Sequence, residues 1–101
     1  MANTVNRVGR VIQLTAVDTD WLLSDLGLSQ SNIESIEFRP GATLDILVIK
    51  EGSATGPAIA SLFSTSADTI TKYLKGRHDL FLDVSDCTLS MGHSITIILG
   101  Q

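Results

Sequence analysis

The residues of this 101-residue chain that could do chemistry are few and scattered. The histidines are His78, beside Asp79, and His93, and the single cysteine is Cys87. A Ser–His–Asp site would have to be gathered from separate loops, and none of the many Ser and Thr residues sits in a nucleophile elbow. A catalytic zinc takes at least three protein ligands, which the two histidines and Cys87 would supply only by coincidence of folding. Asp18-Thr19-Asp20 opens like a calcium loop, but Leu23 stands where such a loop needs its glycine and Ser29 where it needs its glutamate.

Asp83 and Asp86 lie close to Cys87, at a spacing that could bring both carboxylates to one sheet end, as glycosidases pair theirs. A chain this short leaves little room for a cleft, and Asp86 reads as a turn cap. An acid beside Cys87 raises a thiol pKa, the opposite of what a nucleophile needs, so Cys87 is expected to be a core residue. Gly52 and Gly56 in EGSATGP have no helix close behind them to cradle a phosphate and read as hairpin glycines. Trp21, Tyr73 and the three phenylalanines would make a sugar-stacking platform only if two emerged on one face, and at 5% aromatic content core packing is the plainer account. No catalytic, cofactor-binding or metal-ligating residue is therefore expected, and neither is a cofactor.

The elements that would position these residues are strands. Ser35 to Pro57 is the clearest stretch. Ile36-Glu37-Phe38 alternates with period two, Pro40-Gly41 breaks it, and the alternation resumes from Thr43. Leu44, Ile46 and Val48 share one face of this second strand, and Asp45, Leu47 and Ile49 the other, where Asp45 is expected to open onto water. The polar run from Glu51 to Pro57 turns the chain into Ala58 to Ser64, so a β-meander is predicted. Strands are also predicted over Arg10 to Ala16, Leu80 to Val84 and Ser94 to Leu99. Residues 19–27 read as a short helical turn stopped by Gly27, or as a strand through Trp21-Leu22-Leu23 beside the first one. Residues 68–75 carry an Asp cap but also three β-branched residues, so helix and strand both remain open. The prediction is all-β: an antiparallel β-sandwich, jelly-roll-like, of about seven strands with room for one short helix. Residues 1–8 are expected to form a flexible N-terminal arm, and residues 9–101 a single sandwich domain.

Composition narrows the function classes. A net charge of −4 argues against a binder of nucleic-acid backbone, which would carry a basic stripe. Lys72, Lys75 and Arg77 cluster beside a glycine and read as solvated turn charges. One cysteine allows no intrachain disulfide. The first residues lack the continuous apolar segment of a signal peptide, and no run approaches the length of a membrane span, so no membrane is expected as a partner. Hydrophobic residues make up 44% of the chain and charged ones 18%. The mean hydropathy of +0.27 is high for a small domain, and is accounted for either by a core-rich sandwich with Ser and Thr outside or by apolar surface covered by other subunits.

The string SIEFRPGATLDILVIKEGSATGPAI, followed by LFLDVSDCTLSMGH, resembles small β-sandwich virion proteins of tailed bacteriophages. The likeness runs from about Ile33 to Leu99 and rests on the strand pattern, a G-S-x-x-G-P turn and the late D-C-T-L-S segment. The resemblance implies a structural role, in capsid decoration, at the head–tail connector or in the tail and fibre base. It carries over no active-site residues. It implies other virion proteins and copies of this chain as partners, in a homo-oligomer, with assembly in the host cytoplasm and residence in the virion. A small carbohydrate-binding sandwich module is the alternative, because fold does not fix function.

Overall fold

In the computed structural model, residues 4–17, 19–23, 31–53, 55–63, 68–74 and 76–100 are described. They form ten strands: β1 (Thr4–Val8), β2 (Val11–Ala16), β3 (Trp21–Leu22), β4 (Ser31–Arg39), β5 (Ile46–Glu51), β6 (Ala58–Phe63), β7 (Ile70–Tyr73), β8 (Arg77–His78), β9 (Leu80–Leu82) and β10 (Ser94–Leu99). All the pairings are antiparallel. The larger sheet runs β1-β2-β10-β4-β7, with β8 also paired to β4, and the smaller runs β3-β9-β5-β6. The fold is the all-β sandwich expected from the alternation of apolar residues.

The two sheets enclose one core. Ile12, Leu14, Ile36, Phe38, Ile95 and Ile97 of the larger sheet meet Trp21, Leu47, Ile49, Leu62, Leu80 and Leu82 of the smaller. Each such burial is worth about 1.5–3 kcal/mol relative to exposure, which is why period-two patterning decides the faces of β2, β4 and β10.

The meander is corrected. β4 and β5, joined by the Pro40-Gly41 turn, do not pair; they lie in opposite sheets. The chain in fact switches sheet between β2 and β3, β3 and β4, β4 and β5, β6 and β7, β8 and β9, and β9 and β10. The tight hairpins are β1–β2, which turns at Gly9 and Arg10, and β5–β6. Turn residues announce a reversal, but the next strand's partner depends on which face must be covered.

Two further expectations change and one left open is decided. Thr4–Val8, read as part of the arm, is an edge strand in register with β2 from Thr4↔Ala16 to Val8↔Val11, because a polar strand fits an edge with little to bury; residues 1–3 lie outside the described residues. Trp21–Leu22 is strand and pairs with β9 rather than with β2, since Trp21 must reach the core from the other sheet; Gly27, its expected stop, lies outside the described residues. Residues 70–73 are strand, as their β-branching favours, and cover the β4 edge.

Candidate functional site

Asp45 does not open onto water: it is 1% exposed. Its Oδ2 accepts hydrogen bonds from the backbone N–H of Gly41 (3.0 Å), Ala42 (3.3 Å) and Ser90 (2.9 Å), and its Oδ1 from the Ser90 hydroxyl (2.7 Å). Burial pushes this carboxyl up, but the Ser90 hydroxyl, the Ser90 N–H and the N–H groups of Gly41 and Ala42 outweigh it and hold the pKa below the ordinary value. His93, buried beside it, joins a third segment. Its Nε2 accepts from the Val17 N–H at 3.2 Å, so Nδ1 carries the proton and donates to the Ser90 carbonyl at 2.8 Å. Asp45, Ser90 and His93 thus tie together three of the segments that switch sheets, 17–20, 40–45 and 83–93. The clamp leaves Leu44 and Met91 on its outside, both exposed.

A second cluster forms beside β5. Lys50 Nζ lies 3.3 Å from Asp83 Oδ2 and also pairs with Asp86. The two carboxylates singled out by spacing are therefore brought together, around a lysine. The turn cap is Asp83, not Asp86: Asp83 Oδ1 accepts from the Ser85 N–H and hydroxyl at 3.1 and 2.6 Å and starts a single 3-10 turn over Val84–Asp86. The Ser85 hydroxyl lowers the Asp83 pKa against burial, with Lys50 lowering it further. Asp20 caps the same turn through the Val84 N–H at 2.9 Å, a structural use of the Asp18-Thr19-Asp20 run; Asp18 lies outside the described residues. Cys87 closes this turn. It is half-buried and packs against the core. Burial pushes its thiol up, a bond from the Val48 backbone pulls it partly back, and Asp83, Asp86 and Asp20 raise it again.

At the other end of β5, Glu51 Oε1 meets His78 Nδ1 at 2.9 Å and Oε2 accepts from the Asp79 N–H at 2.5 Å. This fastens the β8–β9 corner to the β5–β6 hairpin. His78 and His93 sit in separate networks. Gly52 and Gly56 are hairpin glycines: Gly52 has φ of 78°, and a Cβ on Gly56 would fall 1.9 Å from the Glu51 carbonyl oxygen. Among the described residues, no three His, Cys, Asp or Glu side chains are gathered where they could hold a metal. Nor, among them, is any helix long and apolar enough to cross a membrane.

What remains on the surface is a patterned sheet face. Registers across the larger sheet align Val8 with Val11, Val11 with Ile98, Ile98 with Ser35 and Ser35 with Tyr73. Period two places all five on the face away from the core. Val8 is 74% exposed, Val11 42% and Tyr73 76%, while Ser35 is buried between Ile98 and Tyr73. The next row, Asn6, Gln13, Thr96, Glu37 and Thr71, is entirely polar. Sequence reading could not find this row, because its members lie in five different strands. The aromatics divide differently: Trp21 is 3% exposed in the smaller sheet, and Tyr73 projects from the larger.

No known protein family, curated protein or solved structure matches the chain.

Proposed function

We propose that this chain is a non-enzymatic structural component of a protein assembly, of the kind built into tailed-phage virions, and that it acts by protein–protein contact. The observation that carries the reading is a largely apolar row across a sheet face, with Val8, Val11 and Tyr73 exposed, Ile98 half-buried and Ser35 enclosed between Ile98 and Tyr73, bordered by a polar row. An isolated exposed valine needs no explanation, but apolar residues in register across neighbouring strands form a surface fit for burial. The polar clusters support the same reading, because the carboxylates of Asp45, Glu51 and Asp83 are occupied in tying the fold together. The sequence resemblance to small β-sandwich virion proteins supplies the kind of assembly: other virion proteins and further copies of the chain, put together in the host cytoplasm. A carbohydrate-binding module is less well supported, since Trp21 is enclosed and shares no face with Tyr73.

The test is to purify particles from cells producing the chain and weigh their components by mass spectrometry. The chain is expected in a fixed copy ratio to the main particle protein, with Tyr73→Lys reducing incorporation. Finding it wholly in the unassembled fraction overturns the proposal, and specific retention on a glycan array would favour the carbohydrate reading.

A further inference from the structure

The larger sheet is symmetric in an unusual way. Along the path β1-β2-β10-β4-β7 the centre is β10, and the outward residues include a largely apolar row, broken by Ser35, with a polar row beside it. We propose that this face is an isologous docking surface for a second copy of the same chain, with the two-fold axis running along β10. The inference rests on the assembly reading above and names the partner.

Rotation about that axis carries β1 over β7 and β2 over β4, and each row falls onto itself. In the apolar row, Ile98 meets Ile98 of the second copy, Val8 meets Tyr73, and Val11 meets the small Ser35. In the polar row, Thr96 meets Thr96, Asn6 meets Thr71, and Gln13 meets Glu37. The charges on this face permit the pairing. Glu37 comes over uncharged Gln13, and Arg39 comes over β2, whose outward residues Val11, Gln13 and Thr15 carry no charge. No like charges in these rows are opposed, which matters because like-charge contacts across an interface are costly. The exposed Tyr73 falls on the exposed edge residue Val8, while Val11 lies over the enclosed Ser35. Strands about 4.8 Å apart, rising about 3.3 Å per residue, make a face of roughly 20 by 20 Å. Two such faces bury roughly 800 Å² together, less than a stable specific interface, as suits a weak dimer that exchanges with monomer and is reinforced only within a larger assembly.

Residues on the axis meet themselves, which gives the pairing a distinctive test. Sedimentation equilibrium of the full chain, from low micromolar to millimolar concentration, is expected to show monomer and dimer. Thr96→Lys and Thr96→Glu should each weaken self-association by about tenfold or more, since each sets a charge against its own copy, whereas an equimolar mixture of the two variants should dimerise again. Gln13 is exposed on the face, so its variants fold irrespective of how Thr96 substitutions are tolerated. Gln13→Lys, set against Glu37 of the second copy, should tighten the dimer, and Gln13→Glu should loosen it. A chain that stays monomeric throughout overturns the proposal, as does a dimer indifferent to Gln13 charge or a Thr96 mixture that does not re-form. If the chain enters particles but fails these measurements, the two-fold pairing is wrong and the assembly reading stands. If it dimerises as described but never enters particles, the reverse holds.

Discussion

Cys87 Sγ lies 3.3 Å from the backbone nitrogen of Val48 and 3.6 Å from its carbonyl oxygen. The thiol occupies a gap in the ladder. Leu82 pairs with Ile49 and Thr88 with Ile46, and the intervening turn pulls the neighbouring backbone away from Val48. A side chain able both to accept and to donate stands in for the missing strand partner.

Removing that side chain should therefore leave two backbone groups unpaired. Cys87→Ala is expected to destabilise the chain by about 1–3 kcal/mol in urea denaturation, through the unsatisfied groups and the lost packing. Cys87→Ser keeps a donor and an acceptor on a shorter bond and should cost less than the alanine. Because burial and then the surrounding carboxylates push the thiol up, the folded protein should react with a disulfide reagent far more slowly than the urea-unfolded chain. Equal rates would show that Cys87 is not held as described.

Asp45 makes a stability prediction with a definite sign. Its folded pKa is below the ordinary 3.8, so the folded state binds this proton less tightly than the unfolded chain. The stabilisation is complete above the unfolded value and is lost as pH falls through the folded one. Asp83 and Glu51, also lowered, add to the same acid limb. Asp45→Asn should lower stability at neutral pH by about 2 kcal/mol, since bonds to a buried charged acceptor are replaced by weaker or unmade ones. It should also flatten the fall in melting temperature below pH 4. An unchanged acid limb in the variant would remove Asp45 from this role.

Gly41 is required for space rather than for conformational freedom. A Cβ there would come within 2.4 Å of the Met91 carbonyl oxygen and 2.5 Å of that of Ser90. Gly41→Ala should force the 40–45 crossing off the 88–93 segment and cost about 2 kcal/mol or more. Gly9→Ala, where no atom lies within 4 Å of the added carbon, meets only the positive φ of 60° and should cost less. Thermal melts of the two variants give the comparison, and reversal of their order would mean the crossing is not packed as found.

The sequence by itself determined the class of fold and the inward faces of its strands. In β2, β4 and β10 the pairs Ile12/Leu14, Ile36/Phe38 and Ile95/Ile97 mark the inward face, although Val11 and Ile98 set apolar residues on the outward one. It also placed the hairpin glycines at Gly52 and Gly56, which are local features; the sequence reading made Asp86 a turn cap, whereas the cap is Asp83 and Lys50 of β5 joins the two carboxylates. Tertiary structure decided the rest. Asp45, just before β5 and next to its apolar residues, reads as the solvent side until Gly41, Ala42 and Ser90 bring it four hydrogen bonds, one pair of them from 45 residues away. The same holds for the turn at Pro40-Gly41, whose residues fix a change of direction but not the sheet that receives the next strand. Strand partners depend on which apolar face remains uncovered once the others have packed. The row Val8, Val11, Ile98 and Tyr73 exists only in the assembled sheet, because residues far apart in sequence become neighbours solely through hydrogen-bond register.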